Sequence, residues 1–524
     1  MNESSRLLFV NYSAEVFFSL LEFRSIQASY LERYLDALNA KVILRESKYF
    51  DRDYLAEFAA FYSVSAKGYP NVCERLHFFS DDVSRRILRA AASGSSRAKL
   101  RMQNAYLGFV VRRPIPAARL GRTVLKWFPD KFVDTTPRVP ASTRKYVVHI
   151  CGIELYVEGL AWQQQDTGVG ACATVSLWSM LHSSALDEYH AIPTTADITR
   201  DAHKKHSFGT RIFPSKGLNI YQIDDAIKEQ NLVPLVADGD IKDERGNPKG
   251  FSRDRFSSTC ASYIRSGYPV LMLGELNTSD GVAGHAICNV GFRSCVPPSG
   301  DASTPLLADS NIEIFYVHDD NLGPNVRFRV TANAANIAVI SPEAPIEPNG
   351  RSVETSPTDN YGTFVPTQLI VAAHSDIRTD PDTLHRIALT HVSDIAGVIN
   401  RLAESIGRDP LSFVVSSRIT RMTDYVGNEL YDRLKGSSDK EKRILASVRL
   451  ALSETVSPMS LHIAVVRVGL DDATVFADFL YDTTDSDRNQ PVFAHVAYHK
   501  VAAFVIDALQ KANGTNCGVC VVAY

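Results

Sequence analysis

The sequence predicts an α+β fold, in which a central region packs a cysteine-bearing helix on an antiparallel sheet. A dense apolar run at 173–181 follows Cys172 and is long enough for a buried helix. Three later segments, at 269–274, 284–292 and 312–319, have the composition of strands. Helix-like and strand-like patterns also alternate on both sides of this region, so we expect α/β regions at the N- and C-terminal ends.

Length and composition limit the class of protein. A chain of 524 residues is too long for one hydrophobic core, so two or three domains are expected. The net charge of −3 predicts no general attraction to nucleic acid or to an anionic membrane. The eight cysteines are scattered, which is typical of a reducing compartment. Neither a signal segment nor an apolar run of about 20 residues is present, and we therefore expect a cytoplasmic protein.

Composition divides the chain into four parts. An N-terminal region of unknown role covers 1–144, with apolar residues at helical spacing over 14–38. The central region covers 145–340. Residues 341–366 are rich in Pro, Ser and Asn, which is typical of a linker. A C-terminal region, again of unknown role, covers 367–524.

Cys172 is the first candidate for chemistry. It follows a polar turn that contains Gly168 and Gly170, and glycines permit a sharp entry into the following helix. In the first helical turn, unpaired N–H groups and the helix dipole favour a thiolate, the reactive form of cysteine. The alternative is a small buried hydrophobic residue, because free cysteines are commonly buried.

His285 is the candidate base. It begins a predicted strand between two small residues, Gly284 and Ala286, which would let a sulfur and a substrate approach the imidazole. A single histidine at the start of a strand is more often structural. Its pairing with an upstream cysteine at a helix start favours a catalytic role.

Asp319 ends the next predicted strand and could accept a hydrogen bond from the imidazole, which would fix the tautomer. Asp320 and Asn321 are adjacent alternatives, because the strand register cannot be read from the sequence. A simple turn acid ahead of Gly323-Pro324 is the other interpretation.

The triplet at 163–165 is the candidate oxyanion donor. A glutamine side-chain amide, from Gln165 or Gln164, could donate to a developing oxyanion together with the backbone N–H of Cys172. A solvated turn is an equally good interpretation of the triplet.

Taken together, this central third resembles the papain-like cysteine peptidases, most closely their bacterial C39-like branch. The resemblance rests on an ordered set: Gln-Asp before Cys172-Ala173, then Gly284-His285-Ala286, then Tyr316-Val317-His318-Asp319. It implies that Cys172 attacks, that His285 serves as base and then acid, that Asp319 orients the imidazole, and that Gln165 completes the oxyanion hole. In the family the glutamine usually lies six residues before the cysteine, whereas Gln165 lies seven before.

The resemblance implies a thiol hydrolase, a peptidase or amidase that acts on a peptide or protein through a thioester. Two alternatives stay open: an acyltransferase or transglutaminase on the same scaffold, and an inactive domain used only for binding. No metal or other cofactor is expected, and the sequence does not predict an oligomeric state.

Two further motifs carry weaker signals. Cys517-Gly518-Val519-Cys520 has no second pair of ligands at a comparable spacing, so it favours a buried terminal strand over a zinc site. His203-Lys204-Lys205-His206 is interpreted as a charged surface.

Overall fold

The computed structural model shows a mixed α+β protein built around three main sheets. No helix among the residues that it describes is both long and apolar enough to cross a membrane. The described residues are 6–66, 68–129, 137–166, 171–186, 190–205, 217–298, 304–343, 358, 361–430, 438–455, 461–470, 474–484, 492–513 and 519–524.

The N-terminal sheet is a five-stranded antiparallel meander in which each strand pairs with the next in sequence. The predicted α/β character of this region is therefore wrong, because alternating helix and strand patterns do not reveal whether a connection returns antiparallel or crosses over. Its strands are Leu7–Asn11, Val42–Tyr49, Cys73–Phe79, Tyr106–Arg112 and Leu120–Leu125. Its helices are Ala14–Leu21, Ile26–Ala37, Arg52–Ala60, Arg85–Ala92 and Ser96–Ala105, with a 3-10 turn at Tyr62–Val64.

The residues with apolar helical spacing over 14–38 form two separate helices. The first ends at Glu22, whose φ of 53° lies in the left-handed region. The second starts anew at Ser25, whose side chain accepts a hydrogen bond from the N–H of Ala28. The break turns helix Ile26–Ala37 toward the central region.

The central sheet is antiparallel and closes on itself. Strand Val270–Thr278 pairs with Gly281–Arg293 on one side and with Thr363–Ala373 on the other, which completes a ring of six strands. The other ring strands are Ile314–Asp319, Gly323–Ala332 and Ala338–Pro342, while Val233–Asp238 and Arg138–Pro140 pair outside the ring. Two-stranded ribbons lie at Arg144–Ile150 with Ile153–Gly159 and at Ile241–Lys242 with Pro248–Gly250. The helices are Cys172–Met180, Thr195–Ala202, Ile220–Lys228 and Arg253–Arg265, with a 3-10 turn at Ser184–Leu186.

Ring closure changes the expected division of the chain. The boundary between linker and C-terminal region, at 366/367, falls inside strand Thr363–Ala373. Seven residue pairs join this strand to Val270–Thr278, and the residues of its second half are buried. The apolar pattern of the strand was correctly predicted from 367 onward, but its partner lies about a hundred residues earlier and leaves no local signal.

The C-terminal sheet has six strands with helices on both faces. Only its two edge pairs are parallel, so this region is also α+β rather than the predicted α/β. Its strands are Leu306–Leu307, Phe413–Arg421, His462–Leu470, Val475–Asp482, Val492–Ala497 and Val519–Val522. Its helices are Pro381–Ser405, Met422–Asp424 with a π turn at Tyr425–Glu429, Asp439–Thr455 and Lys500–Asn513.

One continuous hydrophobic core runs through the three regions, and a smaller one lies beneath helix Asp439–Thr455. The N-terminal region contributes directly to the central one. Tyr30 of helix Ile26–Ala37 donates a hydrogen bond to the carbonyl of Pro324 at 3.1 Å, and Gln27 donates to the carbonyl of Asp320 at 3.1 Å. The loop after Asp319 is therefore supported by a helix nearly 300 residues away in sequence.

Candidate active site

Cys172 is the first residue of helix Cys172–Met180, as predicted. It is half-buried, whereas the rest of the helix is buried on all sides. The residue before it, Ala171, makes no side-chain cap, so the first N–H groups of the helix remain available near the sulfur. The predicted glycine turn at 167–170 lies outside the described residues.

Two serines on this helix fix its position. Ser176, one turn after Cys172, donates a hydrogen bond to the carbonyl of Ala286 at 2.9 Å. Ser179, one turn later, donates to the carbonyl of Ala161 at 2.6 Å. Because Ala286 follows His285 in the strand, the first of these bonds holds the sulfur and the imidazole on facing elements.

His285 lies in the strand Gly281–Arg293, where only 8% of its surface is exposed. The side chain of Cys172 lies close enough to interact with that of His285, which raises the pKa of the imidazole. Nε2 of the imidazole lies 3.3 Å from Oδ2 of Asp319. Nδ1 is therefore the ring nitrogen that can interact with the sulfur of Cys172. The preceding residues Gly281–Gly284 are exposed, and a Cβ placed on Gly284 would meet nothing within 4 Å. The start of this strand is therefore open to solvent, although the His285 side chain itself is only 5% exposed.

The charge state of His285 follows from its neighbours. Burial alone disfavours the imidazolium, but the charge of Asp319 and its hydrogen bond outweigh burial. The pKa of His285 consequently lies well above its ordinary value. A cationic imidazole beside a sulfur stabilises the thiolate form of a cysteine.

The geometry separates the three candidates for the orienting residue. Asp319 presents Oδ2 to Nε2 at 3.3 Å, within hydrogen-bonding distance. Asp320 has its nearest oxygen at 3.9 Å, which is too far for a hydrogen bond. Asn321 turns its Nδ2, a donor, toward the ring at 3.4 Å. Asp319 is therefore the acceptor for the imidazole N–H.

Asp319 is fully buried, and its own partners hold it in place. The hydroxyl of Tyr361 donates a short hydrogen bond to Oδ2, and the backbone N–H of Asn321 donates to Oδ1 at 2.7 Å. The indole N–H of Trp162 donates to its carbonyl at 2.8 Å. Tyr361 was not among the predicted site residues, because it lies in the segment interpreted as a linker and no local pattern identifies it.

The two candidate glutamines point in different directions. Gln165 donates a 2.7 Å hydrogen bond to Oδ1 of Asn321, so its amide lies on the same side as the Asp319 loop. Gln164 is buried, and its Oε1 accepts from the N–H of Leu120 at 3.3 Å in the N-terminal sheet. Of the two side-chain amides, that of Gln165 contacts Asn321, whose Nδ2 lies 3.4 Å from Nε2 of His285.

His318, the residue before Asp319, takes no part in this arrangement. Its Nδ1 lies 2.9 Å from Oγ of Ser179 and its Nε2 lies 3.2 Å from Oδ1 of Asn325. Burial lowers the pKa of His318 to about 4, so this ring stays neutral.

Asp320 has a buried carboxyl group. Neither of its carboxylate oxygens has a hydrogen-bond partner among the described residues. Burial raises its pKa to about 7, against the opposing charge of His285. A free carboxyl group titrates near pH 4, so the unfolded chain loses this proton about three pH units before the folded chain does.

We expect Asp320→Asn to stabilise the protein at pH 8 and to have little effect at pH 4. As the pH rises from about 4 to about 7, the unfolded state releases its proton and the folded state keeps it, so wild-type stability falls. The variant has no such loss, and the difference should reach about 2–4 kcal/mol at pH 8. Thermal unfolding of both proteins at pH 4 and pH 8 measures it, with the exposed Asp280→Asn as control. Equal melting temperatures at pH 8 would contradict this prediction.

The predictions for the two weaker motifs, at 517–520 and 203–206, are partly wrong. Cys520 lies in a terminal strand as predicted, but the strand is at a sheet edge and Cys520 is exposed rather than buried. Cys517 lies outside the described residues. His203 is buried, with Nδ1 2.7 Å from the carbonyl of Thr199, so among the described residues of this motif the two lysines form the expected charged surface. His206 lies outside the described residues.

No protein-family model matches the chain, and a search of curated proteins also finds no match. What the site can do therefore follows from its own atoms.

Proposed function

We propose that the protein is a cysteine-nucleophile hydrolase of the papain-like type, acting on peptide or other amide bonds through a thioester. The observation that carries the proposal is the position of Cys172, at a helix start and beside His285, whose Nε2 lies 3.3 Å from a buried carboxylate. A nucleophile, a base and an orienting acid in this order make up the triad arrangement.

The first chemical step is attack of the Cys172 sulfur on a substrate carbonyl carbon. A C–S bond forms, the carbonyl π electrons move to oxygen, and a tetrahedral oxyanion results. The N–H groups of the first turn of helix Cys172–Met180 face this region, and the Gln165 amide is the second donor. The imidazolium of His285 then gives its proton to the leaving amine as the C–N bond breaks.

The second step returns the enzyme to its starting form. Neutral His285 takes a proton from water, the hydroxide attacks the thioester, and the carboxylic acid leaves as the C–S bond breaks. Asp319 does not react. It keeps the Nε2–H of the imidazole directed at itself, so that Nδ1 always faces the sulfur.

Selective alkylation of the thiols tests the nucleophile. At pH 6 a brief pulse of iodoacetamide should modify Cys172 at least about tenfold faster than Cys151, because only the sulfur of Cys172 has an imidazole beside it that activates it as a nucleophile. Cys151 is the matched control, since it is exposed whereas Cys172 is half-buried. Peptide mapping by mass spectrometry measures both rates in one sample.

The variant His285→Gln completes this test. It removes the cation but keeps a polar side chain of similar size, so labelling of Cys172 should slow about tenfold or more while labelling of Cys151 stays constant. Labelling of Cys172 that is no faster than that of Cys151, or that is unchanged in His285→Gln, would overturn the proposal.

A further inference from the structure

A second cluster of chemically active side chains lies outside the candidate active site. His374 and Asp376 follow strand Thr363–Ala373 of the central sheet, and His462 begins strand His462–Leu470 of the C-terminal sheet. One nitrogen from each histidine and one oxygen from Asp376 all lie within 4.8 Å of one another. The cluster therefore joins the two sheets at one point.

The distances within the cluster suit a shared cation. Nδ1 of His462 lies 3.1 Å and 3.2 Å from the two oxygens of Asp376, and Nδ1 of His374 lies 2.5 Å from Oδ1. Ligand atoms around a tetrahedral zinc ion are about 3.3 Å apart, given bonds of about 2.0 Å. Nδ1 of His462 and the oxygens of Asp376 already have about this spacing. Nδ1 of His374 would have to move away from Oδ1 of Asp376 by less than about 1 Å.

The cluster is also accessible. The side chain of His374 is 34% exposed, so an ion can reach it from solvent. The side chain of Asp376 is 27% exposed, so water can also reach the cluster as a further ligand. His462 lines a cavity of about 860 Å³ between the central and C-terminal sheets. Arg421, the cross-strand neighbour of His462, also lines this cavity, and its charge opposes a bound cation. Two neutral imidazoles and a carboxylate must outweigh that repulsion.

We infer that His374, Asp376 and His462 form a site for a divalent transition-metal ion such as Zn²⁺. Two imidazole nitrogens and one carboxylate oxygen are a ligand set that such ions prefer, and three protein ligands leave at least one position open. The bound ion would fix the end of strand Thr363–Ala373 to the C-terminal sheet. The competing arrangement is an Asp376 carboxylate that accepts hydrogen bonds from both imidazoles and binds no ion.

Metal titration of the full chain distinguishes the two arrangements. The parent protein for the titration is Cys172→Ala, because a thiolate beside an imidazole could itself take up the ion. After removal of metal by a chelator, Co²⁺ is added and its visible absorption is followed, and Zn²⁺ affinity is then measured by competition. We expect one equivalent bound, and Asp376→Asn should weaken binding by about 100-fold or more, while the exposed His149→Gln leaves it unchanged.

Two further measurements keep the outcome decisive. His374→Gln removes a partly exposed ligand and should also weaken binding, which provides a second variant if Asp376→Asn does not fold. Zn²⁺ should raise the melting temperature of the parent but not of either variant. The site is refuted if the parent binds no ion, if Asp376→Asn and His374→Gln bind it as tightly as the parent, or if His285→Gln alone abolishes binding. Results for the His374 and Asp376 variants do not bear on the thiol chemistry of Cys172, whereas loss of binding in His285→Gln alone would place the ion at the candidate active site.

Discussion

Replacing Cys172 by alanine is expected to abolish hydrolysis, with a fall in kcat/KM of about 10⁴-fold or more on any peptide or amide that the wild type cleaves. The loss should be this large because water at the same site has neither the nucleophilicity of a thiolate nor a route to the acyl-enzyme. A fluorogenic peptide library of mixed sequence supplies the substrates, whatever side chains the enzyme prefers. The variant should keep its fold, because Cys172 is half-buried and alanine removes one atom beyond Cβ.

Three controls define this result. Cys151→Ala should retain full activity. His285→Ala should lose about as much as Cys172→Ala, since nucleophile and base act as a unit. An added amine acceptor separates hydrolysis from transfer: a conjugate in place of free acid would identify an acyltransferase on the same scaffold. Wild-type-like cleavage by Cys172→Ala would rule out the thiol mechanism.

Arg113→Ala is expected to cause the largest loss of stability, about 3–5 kcal/mol. The guanidinium is buried, and it lies 3.4 Å from a carboxylate oxygen of Glu57 and 3.2 Å from one of Asp166. It also donates to the carbonyls of Gln164 at 2.9 Å and Ala118 at 3.2 Å. Its removal leaves two buried carboxylates without their cation and releases the segment that precedes Cys172.

Urea unfolding of Arg113→Ala against wild type measures this loss. Arg101→Ala is the matched control, because its ion pair with Asp81 is exposed and screened by solvent, so its loss should have little effect. Burial already raises the pKa of Glu57 to about 7 with the guanidinium in place. The double variant Arg113→Met with Glu57→Gln should therefore recover part of the loss. A loss below about 1 kcal/mol for Arg113→Ala would contradict this account of the buried network.

Local patterns predicted the elements that carry the site. The apolar run after Cys172 predicted a buried helix, and the strands that contain His285 and Asp319 were visible in composition and alternation. Each signal is short-range, because the period of a helix or strand is expressed within a few residues. That these three side chains would meet could be stated only as a hypothesis from their order.

The supporting residues could not be predicted, because each acts across a long separation in sequence. Tyr361 meets Asp319 only because the ring of strands closes through Thr363–Ala373. Arg113, which follows a strand of the N-terminal sheet, contacts Asp166 in the segment before Cys172. Gln27 donates to the Asp320 carbonyl, nearly 300 residues later in sequence. The contact of Gln164 with Leu120 of the N-terminal sheet is of the same long-range kind.

The most direct test of the central claim is to trap the acyl group on the enzyme. The protein is mixed with an activated ester, quenched in acid within seconds, and mapped by mass spectrometry. We expect one acyl group on the sulfur of Cys172, removed by neutral hydroxylamine as a thioester is, and absent from Cys172→Ala. An acyl group that maps elsewhere, with Cys172 unmodified while hydrolysis proceeds, would contradict the mechanism.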